Sequence, residues 1–243
     1  MNTTPPPHSQ DARRIRVELW TDLICPWCGI GERRFAEALS KFEQRGRVNL
    51  SLRSFRLMPG AAPMPVEELL AVKYELTSEE IRASLRKLED TAASVGLSYG
   101  LSGSFSGDTM DGHRLIKLAG TTGLEWRLHS RLFRAAMSER VFIYDHAVLL
   151  DLAVSCGLDP EAVRATLSGD QYREEVEADE AVMRGHGGHS VPFFVLNGQR
   201  HYTGALSADI FLDALNKAWT AVEQDDLPPP DGAVCGPDGC PLP

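Results

Sequence analysis

Two cysteines, Cys25 and Cys28, flank Pro26 and Trp27 in the stretch VELWTDLICPWCGIGERRF. Thiols at this spacing can hold a metal, close a static disulfide, sit inert in a core or pass electrons. If Cys25 stands at the start of a helix, free backbone N–H groups and the macrodipole favour its thiolate over its thiol. Thiols so placed have pKa values of roughly 3.5 to 7.5, against about 8.5 for free cysteine. Cys28, three residues further along the helix and turned inward, then lies within reach as the resolving thiol. The pair can cycle between dithiol and disulfide through a mixed disulfide.

The chain has three other cysteines. Cys235 and Cys240 bracket Gly-Pro-Asp-Gly, a tetrapeptide suited to a tight turn that lets two thiols approach disulfide distance. Cys156 follows LLDLAVS and precedes Gly157, which reads as a small buried residue at a helix end. A structural zinc site would need four ligands, and Cys25, Cys28, Cys235 and Cys240 supply that number. Zinc ribbons set each pair in a short turn, whereas the first pair here leads into a long amphipathic helix. Pro26 and Trp27 suit an exposed helix start better than a core.

The elements around the loop follow from periodicity. Residues 16–20 alternate Val17 and Leu19 with Arg16 and Glu18, as a strand does. Pro26 suits a first helical turn, and Phe35, Ala38, Leu39 and Phe42 form one stripe behind it. Cys25 is therefore expected at a strand-to-helix junction. A second alternating run, Val48, Leu50 and Leu52, reaches Phe55 and stops at the turn signal LMPG. From about residue 63 to 185 the period is helical, with no convincing strand. Thr77 with Glu80 is a capping-box signature ahead of Ile81, Leu85, Leu88, Ala92 and Val95, and Asp145 and Asp159-Pro160 mark further helix starts. Strands return in VPFFVLNGQRHYTG as a hairpin turning at Asn197-Gly198. A final helix, capped by Ser207, is expected to bury Ile210, Phe211, Leu215, Ala218 and Trp219.

The order is strand, helix, strand, a long helical insert, hairpin, helix. It implies five segments: a flexible start at 1–14, two parts of one α/β domain at 15–62 and 186–221, the insert at 63–185, and a tail at 222–243. The tail lacks apolar periodicity and cannot by itself bury enough surface to offset its ordering entropy.

Composition removes several classes. With 243 residues, 43% of them hydrophobic, the chain can bury a sizeable core. Its 34 acidic and 25 basic residues give a net charge of −9, the wrong sign for nucleic acid or an anionic membrane. The opening MNTTPPPHSQDARR is polar and proline-rich without an apolar core, unlike a signal peptide, and a cytoplasmic location is expected. A static disulfide conflicts with that compartment.

The C-P-W-C loop after a strand, the strand ending FRLMPG, the helical insert, and SVPFFVLNG followed by YTGALS together resemble the DsbA family of thiol oxidoreductases, most closely its FrnE-like branch. The likeness runs from about residue 15 to 221. It implies an α/β thioredoxin-like fold with a large all-helical domain inserted between the second strand and the late hairpin. By the same resemblance Cys25 is the nucleophile, Cys28 the resolving cysteine, and Pro26 and Trp27 the dipeptide that helps set redox poise. Pro192 is the matching cis-proline, and Val191 offers its backbone to a client segment in strand fashion while Pro192 offers no N–H. Cys235 and Cys240 match an auxiliary redox pair found at the end of FrnE-like proteins.

Some positions depart from the family pattern. Ser190, preceded by His189 and near His186, stands where many relatives have glycine. DTMDGHRL resembles the family element NT..AHRL, with Asp108 for Asn and Gly112 for Ala, leaving His113 and Arg114 as matches. His189 and His113 are candidate substrate-side residues. Asp22 is a buried proton acceptor or a turn former.

The function expected is a cytoplasmic thiol:disulfide oxidoreductase acting on protein clients or small thiols. No tightly bound cofactor or metal is expected; glutathione or another thiol is the possible electron donor. The alternatives are a glutathione-dependent isomerase resembling 2-hydroxychromene-2-carboxylate isomerases, which commonly carry serine where Cys25 stands, and a zinc-stabilised binding module.

Overall fold

The computed structural model describes residues 14–225. Strand β1 (Ile15–Thr21) leads through the cysteine loop into α1 (Pro26–Lys41), and β2 (Val48–Ser54) follows. The two strands pair in parallel from Ile15 opposite Val48 to Thr21 opposite Ser54, with α1 as the crossover that parallel pairing requires. The hairpin β5 (Phe193–Leu196) and β6 (Arg200–Thr203) completes the sheet in the order β2-β1-β5-β6. Its turn has both central residues at positive φ, Asn197 at 52° and Gly198 at 72°, as a two-residue hairpin turn demands. The last helix, α9, spans Ala208–Asp225.

One sheet face packs on α1 and α9, where Val17 and Leu19 meet Phe35, Phe194, Phe211 and Leu215. Phe194 stacks on Phe35 with centroids 5.2 Å apart and tilts against Phe211 at 4.6 Å. The other face carries Trp20 into a second core that contains Cys25, Cys28, Leu115, Leu132 and Met183. The cysteine loop thus lies where the sheet meets the inserted helices.

The insert contains α2 (Val66–Tyr74), α3 (Ser78–Ala93), α4 (Met110–Gly120), α5 (Glu125–Met137), α6 (His146–Ser155), α7 (Pro160–Ser168) and α8 (Arg173–Gly185). Helix α8 covers the free edge of β2: Asp179 Oδ2 accepts from Ser54 N at 2.8 Å, and Glu180 Oε1 accepts from Arg56 Nε at 2.7 Å. Helix starts follow their sequence signals. Asp145 accepts from Ala147 N and Asp159 from Ala162 N. Thr77 and Glu80 close a full capping box. Thr77→Ala is expected to cost about 1 kcal/mol of stability, read as a lowered urea midpoint.

Three details differ from the sequence expectation. The insert is not wholly helical: β3 (Met64–Pro65) and β4 (Phe105–Ser106) form an antiparallel ladder two residues long, too short to leave a periodic trace. In α9 the buried stripe is Phe211, Ala214, Leu215 and Ala218, which puts Ile210 one residue off it and 46% exposed. That helix also continues past residue 221 to Asp225, helped by Trp219 Nε1 donating to Glu223 Oε1 one turn on. Cys156 caps α6 and is buried. Among the described residues no helix is long and apolar enough to cross a membrane.

Candidate active site

Strand β1 ends at Thr21, and a tight turn in which Cys25 N donates to Asp22 O at 3.2 Å brings the chain to α1. Cys25 is the N-cap residue with extended backbone, φ −96° and ψ 102°. Pro26 takes the first helical position, where its missing N–H costs nothing. Cys28 N donates to Cys25 O at 2.9 Å, which holds the two thiols on the same first turn.

The two sulfurs differ in surroundings. Cys25 is 5% exposed and borders an apolar cavity of ≈ 300 Å³ walled by Trp27, Leu57, Met58 and side chains of α2 and α3. Cys28 is fully buried. Burial, then the hydrogen bond and charge of Cys25, pushes the Cys28 thiol well above the ordinary thiol range, while the Thr21 hydroxyl and the Asp22 backbone pull it down. Trp27 is 46% exposed at the cavity mouth.

The loop before β5 closes the other side. Val191-Pro192 is cis, and Cys25 Sγ donates to Val191 O at 3.4 Å. Helix α1 lies directly on the proline ring: a Cβ at Gly31 would come within 2.7 Å of Pro192 Cγ. Glycine is the residue that permits this approach. Tyr99 Oη donates to Pro26 O at 2.8 Å, and its phenol is held protonated by burial and by the nearby charge of Glu32.

Other residues singled out by sequence lie elsewhere. His189 is exposed on the loop ahead of Val191. His186 packs edge-on against Trp20 and His201. His113 is buried beneath the loop: α4 packs so closely that a Cβ at Gly112 would come within 2.5 Å of Leu23 Cδ1. Its Nε2 is 3.4 Å from Asp22 Oδ1, within ion-pair range but outside hydrogen-bond geometry. Asp22 is a buried acceptor, taking Leu57 N and Thr109 Oγ1 at 2.7 Å each. Cys235 and Cys240 fall outside the described residues.

Sequence reasoning missed Thr21, Glu32 and His129, which meet behind Cys28. Glu32 lies four residues after Cys28 on α1, so one signal, the i,i+4 spacing, was present. His129 reaches Glu32 from 97 residues away and had none. Among the described residues no three His, Cys, Asp or Glu side chains are placed to hold a metal ion. What remains is an asymmetric thiol pair, one sulfur open to a cavity and one sealed, beside a backbone carbonyl.

Comparison with known proteins bears on this arrangement. Residues 16–216 match the model of the DSBA-like thioredoxin domain. A probable DsbA oxidoreductase from Streptomyces coelicolor shares 40% identity, with a TM-score of 0.84 over 95% of this chain and 100% of that one. The cytosolic disulfide reductase DsbM from Pseudomonas aeruginosa, solved with GSH, is 20% identical, with a TM-score of 0.55 over 86% and 98% of the two chains. A 2-hydroxychromene-2-carboxylate isomerase is 12% identical, with a TM-score of 0.57 over 88% and 100%. Among curated proteins no match was found. With a family match across most of its length and a relative this similar, the chain belongs to the DSBA-like thioredoxin domain family and is a DsbA-like disulfide oxidoreductase.

Proposed function

We propose that Cys25 and Cys28 carry the thiol–disulfide exchange, Cys25 as nucleophile and Cys28 as resolving thiol. The observation that supports this reading is the unequal burial of the two sulfurs beside Val191 O. The Cys25 thiolate attacks a client disulfide, forming a mixed disulfide and expelling the first client thiolate. Cys28 then attacks Cys25 Sγ, closes the internal disulfide and releases the second client thiolate. A client segment pairs with the backbone at Val191, next to Pro192, which has no N–H to offer. Pro26 and Trp27 tune the poise of the pair, and the exposed His189 meets the client at the rim. Glutathione or another thiol returns the electrons.

The compartment is the cytoplasm, where thiols are kept reduced. Clients are proteins or small thiols, and Cys235 with Cys240 is an auxiliary redox pair that disulfide mapping of the full chain would detect.

Iodoacetamide labelling of the reduced protein tests the roles. At about pH 6 Cys25 is expected to be modified first, because Cys28 is sealed and held protonated. Since the Cys28 thiol is raised, its labelling should begin only above the ordinary thiol range and increase with pH. Modification of Cys28 before Cys25 would overturn the assignment.

A further inference from the structure

The apolar cavity beside Cys25 has a single charged side chain in its wall, Lys73 near the end of α2. Leu69 and Leu70 of α2, Leu85 and Leu88 of α3, Leu101 and Met137 supply much of the remainder. Trp27 and Tyr74, both exposed, border it as well. No carboxylate lines it, in a chain where 34 acidic residues outnumber 25 basic ones. Lys73 Nζ lies 5.4 Å from the centre of the Tyr74 ring, within cation–π range. Among the described residues it has no acidic partner, whereas Lys41, Lys117 and Lys217 each meet a carboxylate.

A cation held by an aromatic ring at the lip of an apolar cavity selects a particular shape of ligand. The apolar part goes inside, and an anionic group ends at the lip, where lower local polarity makes the attraction stronger than in open water. The volume of ≈ 300 Å³ limits the inside part. It is about twice the roughly 150 Å³ of a cavity that takes up benzene, which is room for one substituted ring. The loop that carries Val191 and Pro192 does not contribute to the wall, so Cys25 has two separate neighbours, the Val191 backbone and the cavity. A group in the cavity therefore hangs from a sulfur exchanging with Cys25 and is not part of a strand paired at Val191.

We propose that this cavity takes small disulfides whose sulfur is carried on an apolar, ring-sized group bearing a carboxylate, and that Lys73 is the residue that reads the carboxylate. The proposal rests on Cys25 being the nucleophile. The Cys25 thiolate attacks one sulfur of the small disulfide; the bond to Cys25 forms, the disulfide bond breaks, and the other half leaves as a thiolate with the electron pair. Cys28 then attacks Cys25 Sγ, the internal disulfide closes, and the second half leaves as a thiolate. The two cysteines lose two electrons, the small disulfide gains them, and the two thiol protons pass to water.

The test uses the reduced full-length protein and two probes of nearly equal size. One is dithiobis(nitrobenzoate), an aryl disulfide with a carboxylate on each ring; the other is its neutral carboxamide. Both release a coloured thiolate, and stopped-flow absorbance gives the rate of the first release. The readout is the acid-to-amide ratio of these rates, divided by the same ratio for free cysteine. The net charge of −9 acts against the acidic probe, so a ratio above one points to a local cation. Lys73→Met is expected to lower the ratio about 10-fold, the size of one charge-assisted contact that is partly exposed. Lys73→Arg should keep it, and Lys73→Glu should lower it further. Salt at about 1 M should bring the unmodified protein towards the Lys73→Met value.

A second variant reads the cavity itself. Ser84 is exposed on α3 and lines the cavity, so Ser84→Trp narrows it without disturbing the core. It should slow both aryl probes relative to hydroxyethyl disulfide, which is too small to need the space. Lys73 is exposed on its helix, so its variants should unfold at the same urea concentration as the unmodified protein. An acid-to-amide ratio that stays the same in Lys73→Met and Lys73→Glu overturns the assignment of Lys73. Equal slowing of large and small disulfides by Ser84→Trp overturns the cavity as the binding site. A charge preference seen only with a peptide disulfide, and not with the aryl pair, overturns the small-molecule class in favour of a protein client. Cys25→Ser separates the two readings: if the first release persists there, the nucleophile has been misassigned, whatever the ratios show.

Discussion

Cys25→Ser is expected to reduce disulfide reductase activity to background, a loss on the order of 10³-fold or more, as removal of a covalent nucleophile gives. Serine is itself a good N-cap residue, so α1 should start at the same place and the folded protein should remain. Insulin reduction read by turbidity, beside an unfolding curve, separates lost chemistry from lost fold. Cys28→Ser should have the opposite signature: attack by Cys25 continues, and mixed disulfides accumulate as a slower band on a non-reducing gel. If Cys25→Ser retains full activity, the nucleophile lies outside this loop.

Phe194→Ala should be the most damaging single truncation in the sheet. The ring sits fully buried between Phe35 and Phe211 and belongs to the strand that carries Val191 and Pro192 to the site. Emptying such a place costs about 3–5 kcal/mol, through lost transfer energy and the cavity left behind. Against a total stability of about 5–15 kcal/mol that is a large fraction. Urea unfolding should show a lowered midpoint with an unchanged slope, since the surface exposed on unfolding is nearly the same. A loss below about 1 kcal/mol would mean that the three rings do not act as one packed unit.

The parts legible in the sequence were those in which function and local structure coincide. Pro26 after Cys25 marks a helix start and the close of the cysteine loop at once, and Asn197-Gly198 fixes its turn by backbone geometry alone. The cluster of Thr21, Glu32 and His129 was not legible. In GERRF, Glu32 looks like any acid on a solvated helix, and in RLHSRL, His129 looks like a histidine on a polar face. Only the docking of α5 against α1 makes them neighbours, and no local pattern encodes that docking. His113 is the converse case: a motif brought it forward, while the close fit of Gly112 against Leu23 decides that it is buried. Ile210 shows the limit of periodicity, because a shift of one residue around α9 moves a side chain from core to solvent.

The contact between Cys25 and Val191 joins residues 166 apart in the chain. On a ribosome adding about 5–20 residues per second, the cysteine loop is made roughly 8 to 33 s before the segment that will close over it. Through that interval the helices that seal Cys28 are also still being made, so both sulfurs meet the surrounding medium as ordinary thiols of an unfinished chain. The unequal protection of the two sulfurs is therefore acquired late, and a newborn chain is open to wrong pairing until the hairpin arrives.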